Sequence, residues 1–332
     1  MESGRRKIIV LLLTLATAIA QAQDTTRYHT MLRIYEDNDF MDIWGNGTDK
    51  GYTNGTRLDL FYTKKRPSRF FFDRWMPKAG DSSINTFGWG IMQIMITPND
   101  LSKRIPDKKD YPYAGALFAV HSLHASNPIK KFNVQTEWWI GVIGPPSLAR
   151  EAQTFMHRVI HYQKPMGWDY QLPTDLILNL HLAAEKMLAH SNNSLEWIGG
   201  AQVFGGTALN GAALYSLFRV GKMQPYFNGL LSQYTGGRGR QLYFIFRPSG
   251  EWMLTNALID GGVFTQAKKD DKEARGREIP SASRHRIIGK LDYGAVLALG
   301  RASVSFTQTT VTPLIKGVRT QSLGNVSLHF AW

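Results

Sequence analysis

Hydrophobic and polar residues alternate along this chain, segment after segment. Between Leu176 and Leu182 the leucines at 176, 178, 180 and 182 share one parity, while Ile177, Asn179 and His181 hold the other. At the end of the chain Val326, Leu328, Phe330 and Trp332 alternate with Ser327, His329 and Ala331. A period of two sends the two sets to opposite faces of a β-strand. The pattern predicts strands near 30–38, 51–62, 84–96, 112–124, 131–143, 176–188 and 194–205, and further ones near 212–220, 224–234, 240–248, 252–266, 286–299, 302–313 and 321–332. Some neighbours, such as 212–220 and 224–234, can be counted together or apart. Bacterial outer-membrane barrels use an even number of strands, so the reading is an all-β, transmembrane antiparallel β-barrel of about twelve strands.

One segment follows a different period. From Ser147 to Tyr162, Leu148, Ala152, Phe155 or Met156, Val159 and Ile160 recur at intervals of three and four. This spacing predicts a short helix over 147–162 in an extracellular loop, with Ser147 as its N-cap and Lys164-Pro165-Met166-Gly167 as its stop. A helix there would plug the barrel mouth. A secreted β-sandwich is the soluble alternative. Against it stand aromatic residues near strand ends (Tyr35, Tyr52, Tyr62, Trp89, Trp138, Trp139, Trp197 and Trp252), which have the look of interfacial girdles. The closing strand also ends on an aromatic residue.

The first residues set the compartment. Arg5, Arg6 and Lys7 precede an apolar run, Ile8 to Ala20, and Ala20-Gln21-Ala22 has the form of a cleavage site. This predicts a signal peptide over 1–22 and a barrel domain over 23–332, placed in the outer membrane of a Gram-negative cell. The formal charge is +13. In an exported protein such a charge suits phosphorylated lipid rather than nucleic acid. The chain contains no cysteine, which excludes disulfides, thiolate metal sites and a cysteine nucleophile.

Strand parity then gathers polar residues at one rim. The first strand delivers Glu36-Asp37-Asn38-Asp39 to the outer end, and the second starts there with Thr53. Lys103-Arg104 follows the third strand, and the helical segment follows the fifth. On that helix Gln153 and His157 are four apart and share a face. His157 is a natural general base near neutral pH. The acids and amide at 36–39 are hard oxygen donors of the kind calcium takes. Lys103 and Arg104 suit a phosphate. Each feature also has a commonplace explanation, as a solvated loop histidine, a turn or a charged surface, and only their convergence suggests a site.

The motifs resemble those of the lipid A 3′-O-deacylase family of outer-membrane enzymes. They are Asn38-Asp39, Gly51-Tyr52-Thr53-Asn54-Gly55, Thr97-Pro98 leading into Lys103-Arg104, and Tyr111-Pro112-Tyr113-Ala114-Gly115. The longest run spans Gly141 to Gln171, with Gly144-Pro145, Gln153, His157-Arg158 and Gly167-Trp168-Asp169. All lie in the first half of the mature chain. The resemblance implies a twelve-stranded barrel that acts as a carboxylic ester hydrolase. Its reaction is Ca²⁺-dependent removal of a 3′-linked acyl or acyloxyacyl chain from the lipid A of lipopolysaccharide. It implies His157 as the base, Asn38 and Asp39 on the metal side, and Thr53, Gln153, Lys103 and Arg104 as the remaining functional positions. Two positions depart from the family pattern: Tyr111 stands where many relatives carry arginine, and Gln163 where an acid can occur. No G-x-S-x-G elbow is present, in keeping with an activated water as nucleophile and the metal polarising the ester carbonyl. The expected protein is a monomer among outer-membrane lipids. The rival readings are a non-enzymatic channel or receptor, and an outer-membrane phospholipase.

Overall fold

The computed structural model describes residues 28–43, 51–107, 109–192, 194–236, 239–266 and 284–332. The expected signal peptide and the charged run from Lys268 to Arg277 lie outside them. Twelve strands follow one another: β1 (Thr30–Asn38), β2 (Gly51–Thr63), β3 (Ile84–Thr97), β4 (Ala114–Asn127), β5 (Phe132–Ile143), β6 (Asp175–Ser191), β7 (Leu195–Gly206), β8 (Leu209–Lys222), β9 (Arg240–Asn256), β10 (Ile287–Leu299), β11 (Ala302–Val311) and β12 (Gln321–Ala331). Each pairs antiparallel with its neighbours, and β1 closes the barrel against β12. Among the described residues four short helices lie in the connections: α1 (Phe71–Trp75), α2 (Ala149–Val159), α3 (Ala257–Asp260) and α4 (Val263–Gln266). Among the described residues no helix is long and apolar enough to cross a membrane; the chain crosses with its strands.

Parity sorts every strand into two faces. Ile34, Leu58 and Ile91 stand in one row of the ladder and are 46%, 46% and 50% exposed. They mark the outward, lipid-facing surface. Residues of the other parity fill the lumen with paired charges. Arg33 lies 2.7 Å from Asp59, and Arg57 bridges Asp59 at 2.9 Å and Glu137 at 3.0 Å. Removing one partner of such a buried pair costs about 3–5 kcal/mol, because the other charge is left stranded.

The lumen is filled at both ends. At the end holding the β8–β9 connection, Tyr226, Phe227, Leu230 and Leu231 are buried. The Leu230 amide donates to Thr86 Oγ1 at 3.1 Å, and Tyr234 stacks on His329 at 4.0 Å. At the opposite end Ala257, Leu258 and Ile259 of α3 pack with Tyr111, Ile96 and Ile315. A cavity of about 470 Å³ remains inside the barrel, among side chains that include Arg33, Glu137, His181 and Arg247.

Three expectations need correction. The segment 224–234 is not a strand: Gly229, Leu230 and Leu231 take φ values of 79°, 28° and 47°, which coil it into the lumen. The expected strands 240–248 and 252–266 are one strand, β9, followed by α3 and α4. Pro248-Ser249-Gly250 lies within β9, where the ladder to β8 skips from Ser249 to Phe246. Proline has no N–H to give that ladder. Finally, not all the aromatics form girdles. Tyr35 and Tyr52 turn inward to Asp37, at 2.7 and 2.9 Å, and Trp139 stacks in the lumen on His181. Trp89, Trp197 and Trp252 face outward and are exposed.

Candidate active site

The helix predicted over 147–162 is α2, and it does not plug the mouth. It lies against the outward wall of the barrel at β3 and β4. Asn38, Asn54, Met95 and Gly115 form one ladder row, two positions beyond the row of Glu36, Thr56 and Gln93, and four beyond the lipid-facing Ile34, Leu58 and Ile91. Ala149 and Ser147 sit directly on Gly115: a Cβ there would come within 2.4 Å of Ala149 Cβ and 2.3 Å of Ser147 Oγ. Gln93 Nε2 on the same wall donates to the Ser147 carbonyl at 2.7 Å. Met95, Leu101, Tyr113, Ala149 and Trp168 share one buried apolar cluster.

Ser147 is therefore not the N-cap. Pro145–Ser147 forms a short 3-10 turn. The α-helix opens instead at Leu148, in the left-handed region at φ 58°, with no side-chain cap bond. Gly144, at φ 87°, starts the turn, and a Cβ there would meet the Leu172 carbonyl at 2.8 Å. The wall thus sets the helix position by contact. Gly115→Ala is expected to displace it, at the roughly 1–3 kcal/mol typical of overpacking. Limited proteolysis should then cut the 144–174 segment faster while the barrel stays closed. An unchanged cleavage rate would show that Gly115 does not seat the helix.

The buried face of α2 consists of Ala149, Gln153 and His157, one turn apart each. His157 Nδ1 lies 2.5 Å from the Gln163 carbonyl oxygen. A carbonyl only accepts, so this bond assigns the proton to Nδ1 and leaves Nε2 as the basic nitrogen. Gln163, noted as a departure, thus contributes its backbone, and its side chain is exposed. Gln153 Oε1 accepts from Trp168 Nε1 at 2.7 Å, which fixes the orientation of its amide. Arg150 and Asp169 tie the outer side of this loop at 2.8 Å.

Across the wall from α2, the 3-10 turn Asp39–Met41 follows β1. It leans over β12, where a Cβ on Gly324 would strike the Met41 carbonyl, and Gln308 of β11 donates to that carbonyl at 3.2 Å. Between this turn and α2 lies the outward rim of β1 and β2. Asn38 ends β1 on that rim, its Oδ1 accepting from the Phe40 amide at 2.8 Å. Asp39 follows it, 6% exposed. Thr53 is a bulge residue, skipped by the ladder between Tyr52 and Asn54, and its hydroxyl meets that of Thr97 at 2.7 Å.

The run 36–39 is not one cluster. Period two turns Asp37 into the lumen, held by Tyr35 and Tyr52, and Glu36 outward. Glu36 accepts from Thr56 Oγ1 at 2.6 Å and from Asn54 Nδ2. Asn54 and Thr56, together with Trp168 behind Gln153, are site neighbours whose side chains the sequence reading did not single out. Pairing register is the signal that finds the first two. Lys103 and Arg104 lie outside the buried face: both are exposed in the β3–β4 connection, and Lys103 Nζ is 3.8 Å from Asp100. Tyr111, noted above as a departure from the expected pattern, is fully buried behind the mouth. Burial pushes its hydroxyl up to about 12, so it supplies no rim charge.

Among the described residues no group of three or more histidine, aspartate or glutamate side chains stands ready to hold a metal. The donors on the rim are oxygens, with Asp39 the carboxylate of the expected pair. Such a set fits calcium in kind, with little protein charge behind it.

Comparison with known proteins decides the family. The family described as "Outer membrane protein LpxR" matches residues 8–332. The chain belongs to this family. The resemblance read from the motifs of the first half is thereby borne out, and the match extends through the second half, where the sequence offered only periodicity. Among solved structures, LpxR from Salmonella typhimurium matches with a TM-score of 0.71 at 17% identity, covering 91% of this chain and 100% of that one. The β domain of the Bordetella autotransporter BrkA gives a TM-score of 0.42 at 8% identity, covering 93% and 99%. No curated protein matches the sequence. As an LpxR family member with a closed twelve-stranded barrel, the protein is a multi-pass outer-membrane β-barrel.

Proposed function

We propose that this LpxR family member is a calcium-dependent carboxylic ester hydrolase that removes a 3′-linked acyl or acyloxyacyl chain from lipid A. One observation carries the reading: the Gln153–His157 face of α2 is buried on the outward wall, directly above the lipid-facing belt, rather than in the lumen. An ester at the head of an acyl chain reaches that level from within the leaflet. A filled lumen gives little support to the rival channel.

His157 Nε2 takes a proton from water, whose oxygen attacks the ester carbonyl carbon. The acyl C–O bond breaks, and the imidazolium returns the proton to the departing 3′ oxygen. The Nδ1 bond to the Gln163 carbonyl stabilises the charged ring and holds it in place. Gln153, oriented by Trp168, positions the water or the acyl group, and Thr53 braces the rim beside Asn38. Calcium, held by Asp39 and Asn38, would polarise the ester carbonyl. Lys103 and Arg104 pair with a lipid A phosphate. The exposed contact of Lys103 with Asp100 is weak enough to exchange for it. The protein acts as a monomer among outer-membrane lipids, with lipopolysaccharide as its partner.

The test is mass spectrometry of lipid A from cells with and without the protein. The expected result is loss of one acyl or acyloxyacyl group only where the protein is present. Unchanged lipid A together with lysophospholipid would turn the reading to a phospholipase.

A further inference from the structure

The β2–β3 connection lies at the end of the barrel opposite the candidate site, and it doubles back onto the outward wall. Met76 and Ala79 pack there against Phe87, Leu123 and Ala125. Phe87 has the parity of the lipid-facing Ile91. On the same face His121 is sealed by Asp73, at 2.6 Å, by the Gly88 carbonyl, at 3.0 Å, and by Trp89, stacked at 4.1 Å. Lys64 also holds Asp73, at 2.5 Å. Asp73 is the only acid between 64 and 80, and it is fully engaged in fixing α1 to the wall.

What α1 then presents is apolar and cationic. Trp75 is 74% exposed and Phe71 49%. Phe71 meets Trp75 edge-on at 5.6 Å, and Phe70 lies 6.1 Å from Trp89. The aromatic surface is therefore continuous with the lipid-facing wall. Arg66, Arg69 and Arg74 are exposed around it. Aromatic rings at a bilayer edge seat at headgroup level, and guanidinium groups beside them reach the phosphates.

We propose that this patch is a docking site for anionic glycerophospholipid headgroups of the periplasmic leaflet. Phe70, Phe71 and Trp75 insert at the glycerol level, and the three arginines pair with phosphate. The protein then grips both leaflets, one with the rim and one with α1. This inference does not depend on which ester the rim site cuts.

The test uses the full-length barrel in lipid nanodiscs doped with brominated phosphatidylglycerol or brominated phosphatidylcholine. The Trp75 fluorescence is taken as the difference between wild type and Trp75→Phe. Bromine on phosphatidylglycerol should quench that component at a several-fold lower mole fraction than bromine on phosphatidylcholine. Arg66→Gln/Arg69→Gln/Arg74→Gln should abolish the preference, since each surface cation is worth about fivefold in binding to anionic lipid. Heat-modifiable electrophoretic mobility checks that the variant barrel is closed. If it is not, the comparison of the two lipids on the wild type stands alone. Equal quenching by both lipids in the wild type overturns the proposal. So does a Trp75 component that neither lipid reaches, or a preference that survives loss of the three arginines.

Discussion

Replacing His157 by asparagine is expected to leave the barrel assembled and to reduce lipid A deacylation by at least about 10²–10⁴, the usual worth of a general base. Asparagine keeps part of the volume and can still donate to the Gln163 carbonyl, but it cannot accept a proton at neutral pH. Stability should change little, because α2 takes no part in the strand ladder that closes the barrel. Gln153→Ala gives the contrast. It removes the acceptor for Trp168 Nε1 and leaves the base in place, so the rate should fall less than for His157→Asn. Deacylation at the wild-type rate by a closed His157→Asn barrel would falsify the assignment of the base. Equal losses for both variants, tracking the amount of folded protein, would reduce α2 to a structural element.

The second large effect is expected from the metal. Excess chelator should abolish activity of the purified protein in detergent micelles, where chelation does not disturb a lipopolysaccharide layer. Calcium should restore it, and magnesium should do so poorly, because magnesium demands near-ideal octahedral geometry and gives up its waters reluctantly. With Asp39 the only carboxylate in the pair it forms with Asn38, half-restoration is expected at about 10⁻⁴–10⁻³ M, the range of extracellular calcium modules. Asp39→Ala should lose about 10²–10³ in rate even in saturating calcium, comparable with removal of one group that stabilises a developing oxyanion. Full activity in excess chelator would remove calcium from the mechanism and leave Asp39 as a buried turn residue.

Much of this was legible in the sequence because a barrel wall obeys a single rule. Period two along β6 and β12 identified strands and faces without knowledge of their partners. The helical interval around Gln153 and His157 stood out against it. The same rule, followed across the register, separates Glu36 from Asp37. Four successive oxygen-bearing residues read as a cluster only while the pleat is ignored. The side of the wall on which α2 lies was not legible. It depends on a glycine, Gly115, facing outward in the same row as Met95 and Asn54, and glycine carries no hydropathy signal. Nor was the segment 224–234: its apolar doublets, Tyr226-Phe227 and Leu230-Leu231, are buried by the lumen rather than by a strand partner. Nor was the continuity of β9 across 248–252, where the ladder tolerates Pro248 by forgoing two pairs with β8.

The position of α2 on the outside of the wall also fixes how encounters with the site are counted. A ligand confined to a leaflet arrives by lateral diffusion, so occupancy follows its mole fraction in the surface and not its bulk concentration. Diluting the lipid around the barrel with inert amphiphile at constant total lipid would slow turnover, whereas diluting the whole suspension with buffer would not. A cleaved chain would leave into the same two-dimensional phase, where it stays close enough to compete for the site it has just vacated.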